Sequence, residues 1–113
     1  MDLTFEIAET RLDGVSVLTV TGEIDMATAP DLRERLVALE ADRISAIVVD
    51  LTGVSFIDST ALGVLVGAYR RQEEAGGTLK LVVTEPRVRK VLEITDLTSV
   101  FPVFTSVDEA VGG

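Results

Sequence analysis

From Val54 to Gly67 the chain reads VSFIDSTALGVLVG, and no other stretch limits its possible folds as much. An apolar strand, Ala46 to Leu51, ends just before it. A short loop carrying Phe56 and Ile57 is expected next, and Asp58 then opens a helix of small and apolar residues. Asp58 suits the N-cap, because its carboxylate can accept from the unpaired N–H groups of the first turn. Ser59 and Thr60 fall at the first two helical positions, near the positive end of the helix dipole, where added negative charge is tolerated. Read locally, Asp58-Ser59-Thr60 is a well-formed cap and nothing more. The sharper reading is that Ser59 is chemically used.

The flanking sequence supplies a sheet. Leu3 to Glu9 alternates, with Leu3, Phe5 and Ile7 on one side, and Asp13-Gly14 turns it into Val15 to Thr21, rich in β-branched residues. Two such strands around a DG turn predict an antiparallel hairpin at or near a sheet edge. Gly22-Glu23-Ile24-Asp25 ends the second strand. Thr28 with Asp31 suggests a capping box, Pro30 suits a first turn, and Leu32, Leu36 and Leu39 mark the buried stripe of a helix to about Ala41. SAIVVDL (Ser45–Leu51) is nearly continuously apolar, as a strand covered on both faces is. Strand, helix, strand predicts a βαβ crossover.

The second helix is expected over Ser59 to Ala75, closed by Gly76-Gly77, with Leu62, Leu65, Val66 and Tyr69 inward. Gly63 and Gly67 each cost it about 1 kcal/mol relative to Ala. Either close packing on the sheet or the approach of another protein's backbone should compensate. TLKLVVT (Thr78–Thr84) forms the next strand, and Pro86 starts a short helix with Val88, Val91 and Leu92 inward and Arg87, Arg89 and Lys90 outward. Pro102 confines VFPVF to an edge, and Ser106 with Glu109 is a capping box for a last helix, Val107 to Val111. The fold class is α/β: a mixed sheet of four or five strands, hairpin first and βαβ units after, covered by about four helices. Its 113 residues suit one domain, 1–113.

Composition excludes several chemistries. The chain has no Cys, hence no disulfide, thiolate nucleophile or Cys-based zinc site, and no His, hence no Ser-His-Asp triad. No metal or other cofactor is expected. The net charge of −9 disfavours nucleic acid and admits a basic protein partner. No apolar run approaches membrane-spanning length and no signal-peptide pattern opens the chain, so a cytoplasmic protein without a membrane partner is expected.

Gly22-Glu23-Ile24-Asp25 after a hairpin, Val48-Val49-Asp50-Leu51, and Phe56-Ile57-Asp58-Ser59-Thr60-Ala61-Leu62-Gly63 together resemble the STAS domain, in particular the single-domain anti-sigma factor antagonists of bacteria. The resemblance covers almost the whole chain. It implies a phosphorylation switch. The unphosphorylated antagonist binds an anti-sigma factor and frees the sigma factor. That anti-sigma factor is itself an ATP-dependent serine kinase, which phosphorylates the serine after the motif aspartate, here Ser59. A PP2C-type phosphatase reverses the step. The same match implicates Asp25, Asp58, Thr60 and Gly63 alongside Ser59 in partner binding, with Thr60 not the acceptor. The chain departs from the family at Ala61, where Gly is usual, and that methyl is expected to stand in the way of an approaching partner. Val54, Phe56 and Val64 are candidate apolar contacts.

Other classes fit less well. A STAS interaction or scaffold module of a stress- or signal-sensing complex shares the motif without controlling a sigma factor. An enzyme using Ser59 as nucleophile lacks a base, since the only lysines are Lys80 and Lys90. A nucleotide-binding protein would need a GxxxxGK[ST] or GxGxxG loop, and neither occurs.

Overall fold

The computed structural model describes residues 5–112. Its elements run β1 (Glu6–Leu12), β2 (Val15–Ile24), α1 (Ala29–Ala41), β3 (Ala46–Ile57), α2 (Ser59–Glu74), β4 (Thr78–Val82), α3 (Pro86–Ile94), β5 (Val103–Phe104) and α4 (Val107–Gly112), with a 3₁₀ turn at Leu97–Ser99. The five strands lie in the order β1-β2-β3-β4-β5. The β1–β2 pair is antiparallel and the three other pairings are parallel. The hairpin therefore sits at one edge and the proline-flanked β5 at the other, as the sequence predicts. Asp13 and Gly14 both adopt positive φ, the geometry that a two-residue hairpin loop requires. Of the expected first strand, Leu3 and Thr4 lie outside the described residues.

Side-chain alternation along β3 divides the core. Ile47, Val49 and Leu51 join Leu32, Leu36, Leu62, Leu65, Val88 and Leu92 in one cluster, which packs α1, α2 and α3 onto one face. Val48 points the other way, into a smaller cluster with Val17, Val82 and Ala110 under α4. The sheet is thus a central layer between helices. This is why SAIVVDL carries almost no polar residues.

Two local expectations are corrected. Phe56 and Ile57 do not sit in a loop: β3 runs on to Ile57. The pairing with β2 shifts twice on the way, from Thr19↔Asp50 to Thr21↔Gly53 and from Gly22↔Val54 to Glu23↔Phe56. Each shift places one extra residue on β3, a pair of bulges that lengthens the strand and re-aims its end. Gly53 makes the first possible, because a Cβ there would lie 2.7 Å from the Thr21 methyl. The second correction concerns α1. Thr28 makes no side-chain cap bond to the helix, so the Thr28–Asp31 box does not form. The Thr28 hydroxyl instead accepts from the Asp25 amide and donates to the Glu23 carbonyl. The Ser106 cap on α4 does form, accepting from Glu109 N–H, while the Glu109 carboxylate reaches back to Thr105.

Candidate functional site

Ile24 and Ile57 are the last paired residues of β2 and β3, so Asp25 and Asp58 leave the sheet side by side. The Asp58 N–H donates to the Ile24 carbonyl at 3.2 Å, which extends the ladder by one bond. Asp58 has extended backbone geometry, and its Oδ1 accepts from Ala61 N–H at 3.0 Å. That is the expected N-cap. Its second oxygen does something the local sequence does not announce: Oδ2 accepts from Met26 N–H at 3.0 Å. One carboxylate thereby ties the start of α2 to the loop before α1. Asp25 stays within its own loop, where Oδ1 accepts from Ala27 N–H at 2.9 Å and Thr28 N–H at 3.1 Å. It therefore orders the turn just before α1, and the Asp25 backbone carbonyl, not its side chain, receives the first N–H of that helix, from Ala29.

These bonds fix the backbone around an exposed patch. Ser59, Thr60 and Gly63 are all exposed. The Ser59 hydroxyl has no hydrogen-bond partner among the described residues. Met26, at 74% exposure, and Phe56, at 48%, are the large apolar side chains flanking the turn. Of the candidate apolar contacts, Phe56 is at the surface and Val64 is half-buried, whereas Val54 is only 1% exposed and belongs to the core. Met26 escaped the sequence reading; its signal was an unpaired methionine directly after the strand-ending GEID.

Ala61 is fully buried. Its methyl fills the core beneath α2 and cannot obstruct anything arriving from solvent, which corrects the expectation drawn from the missing Gly. The two glycines of α2 behave oppositely to a packing role. A Cβ at Gly63 would meet nothing within 4 Å, and one at Gly67 would meet only the guanidinium of Arg71, at 3.1 Å. Packing on the sheet therefore does not explain them.

A serine hydroxyl exposed at a helix N-terminus can receive a group or be contacted. No side chain in hydrogen-bond contact activates it as a nucleophile. Among the described residues, no three Asp or Glu side chains gather in a way that could hold a metal ion.

Residues 6–110 match the STAS domain. The chain belongs to the STAS domain family. Among its relatives, this STAS domain is 35% identical over 103 residues to an anti-sigma-B factor antagonist of Listeria monocytogenes, covering 91% of this chain and 90% of the relative. It is 38% identical over 86 residues to the anti-sigma-B factor antagonist of Bacillus subtilis, covering 76% and 78% of the two chains. In three dimensions it resembles an anti-sigma factor antagonist from Mycobacterium paratuberculosis, with a TM-score of 0.90 at 34% identity over 96% of this chain and 92% of that one. The mixed five-stranded sheet with four helices is thus a STAS fold. No helix among the described residues is long and apolar enough to cross a membrane.

Proposed function

We propose that this STAS domain is a cytoplasmic, non-enzymatic anti-sigma factor antagonist whose unphosphorylated form binds an anti-sigma factor. In this reading the partner is also an ATP-dependent serine kinase that modifies Ser59, and a PP2C-type phosphatase restores the binding form. The observation that carries it is the Ser59 hydroxyl, exposed and unbonded at the first position of α2, with exposed Met26 tied to the same turn through Asp58. The relatives' names supply the class of partner.

The chemistry of the switch is electrostatic. A phosphoryl group brings about −1.5 to −2 charges at pH 7. The N-terminus of α2 tolerates it, so the fold need not break. An interface that buries it beside the Asp25 and Asp58 carboxylates does not tolerate it. About 3 kcal/mol of repulsion and desolvation suffices for a loss of affinity above a hundredfold. Gly63, open to solvent one turn further along α2, lets a partner backbone come close.

The test is a pair of baits, Ser59→Ala and Ser59→Glu, in a pull-down from native lysate with ADP present. The alanine form retains an ATP-binding kinase and the glutamate form releases it. Equal retention of the same proteins by both baits rejects the switch and favours a scaffold module.

A further inference from the structure

The opposite pole of the molecule carries a second feature. Where α1 and α2 end and β3 and β4 begin, a cavity of about 310 Å³ opens to solvent. It is far from Ser59, since the 16 residues of α2 span about 24 Å. At its floor lies Gln72, only 3% exposed. Gln72 Nε2 donates to the Thr78 carbonyl at 3.1 Å. A carbonyl can only accept, so this bond fixes the orientation of the amide. It leaves Gln72 Oε1 as a buried acceptor with no partner among the described residues. Such a group costs about 1–3 kcal/mol when nothing meets it.

The charges at the rim are unequal. Arg71 spends Nε and Nη2 on the two oxygens of Glu40, at 2.6 and 3.2 Å, and that pair is neutral. Arg43, by contrast, has no carboxylate within ion-pair distance among the described residues. It is held at the mouth by a left-handed turn with φ of 60°. Ile44 gives the cavity an apolar wall. Gly77 brings the backbone in closely, because a Cβ there would lie 2.6 Å from the Ser45 carbonyl and 2.8 Å from Gln72 Nε2.

We infer that this cavity is a binding site for a small α-amino or α-hydroxy acid with an apolar side chain. The ligand carboxylate pairs with Arg43, its N–H or O–H donates to Gln72 Oε1, and its side chain lies along Ile44. The net charge of −9 does not preclude a carboxylate, because charges beyond about 8 Å are largely screened at physiological salt. The site is independent of the Ser59 switch and gives the protein a second, small-molecule input.

The test is a titration of the full chain followed by amide proton–nitrogen correlation spectra. The probes are L-leucine, its hydroxy analogue leucic acid, and isocaproate, which keeps the carboxylate and lacks the donor. The amides of Ser45 and Gly77 and the side-chain amide of Gln72 shift saturably with leucine or leucic acid, and Met26 does not. Isocaproate binds roughly tenfold more weakly, the loss expected for an unmet buried acceptor. Arg43→Asn, which keeps the left-handed turn, weakens binding by a similar factor. The absence of saturable shifts with every probe overturns the inference and assigns the cavity to solvent. So does binding that is indifferent to both the missing donor and the missing guanidinium.

Discussion

Asp58 Oδ2 holds the backbone N–H of Met26 at 3.0 Å across 32 positions of sequence, while the other oxygen of the same carboxylate caps α2. The exposed methionine and the exposed serine are therefore fixed relative to each other by one side chain.

This separates two substitutions. Asp58→Ala loses both bonds and costs about 1–2 kcal/mol, the usual range for an N-cap. Asp58→Asn keeps a carbonyl oxygen for Ala61 N–H, but its amide nitrogen cannot accept from Met26. It costs under about 1 kcal/mol while freeing the loop. Urea denaturation gives the first difference, and hydrogen exchange at the Met26 amide gives the second. Under the proposed switch, a pure capping role for Asp58 leaves the rate of Ser59 phosphorylation in the asparagine variant unchanged.

The glycines allow a sharper contrast. Gly63→Ala places a methyl in open space on a helix and stabilises the protein by roughly 0.5–1 kcal/mol. Gly77→Ala drives a methyl against the Ser45 carbonyl and destabilises by about 1–3 kcal/mol. Thermal unfolding of the two variants reads the opposite signs. A Gly63→Ala protein that is more stable yet binds the proposed anti-sigma partner less well shows that this glycine is kept for the interface.

Met26→Ser and Phe56→Ser remove exposed apolar side chains that contribute little to the core. Stability stays within about 0.5 kcal/mol. Affinity for the proposed anti-sigma partner falls by roughly tenfold or more for each, as for central apolar anchors of an interface. Calorimetry of the complex alongside unfolding of the free variants distinguishes an interface role from a structural one.

Glu9 provides a pH signature. Arg11 Nε at 3.0 Å and the buried Ser16 hydroxyl at 3.1 Å both donate to its carboxylate and hold its pKa below the usual carboxylate value, the Arg11 bond having the larger effect. A carboxylate with a depressed folded-state pKa contributes stability that is fully present above its unfolded pKa, about 4.3. That stability is lost as pH falls through the lower folded value. Arg11 is largely exposed, so the contribution is under about 1 kcal/mol. Between about pH 5 and pH 3, the urea midpoint of Glu9→Gln therefore falls less steeply than that of the unsubstituted protein.

The sequence by itself determined most of the elements and the Asp58 cap at the start of α2. Periodicity placed the Leu32-Leu36-Leu39 stripe, and continuous hydrophobicity marked Ile47 to Leu51 as a doubly covered strand. The Asp58 cap and the Asp13-Gly14 turn were readable because they depend only on neighbours along the chain. Tertiary structure decided what depends on the partner strand. The bulges that carry β3 on to Ile57 exist because β2 lies alongside, and in isolation Thr52-Gly53 looks like the end of a strand. Whether Ala61, Val54 or Met26 faces the core or the solvent depends on which helix and sheet faces meet, and local pattern does not encode that. The second bond of Asp58 is of the same kind, because its partner arrives from another loop and becomes a neighbour only once the sheet has formed.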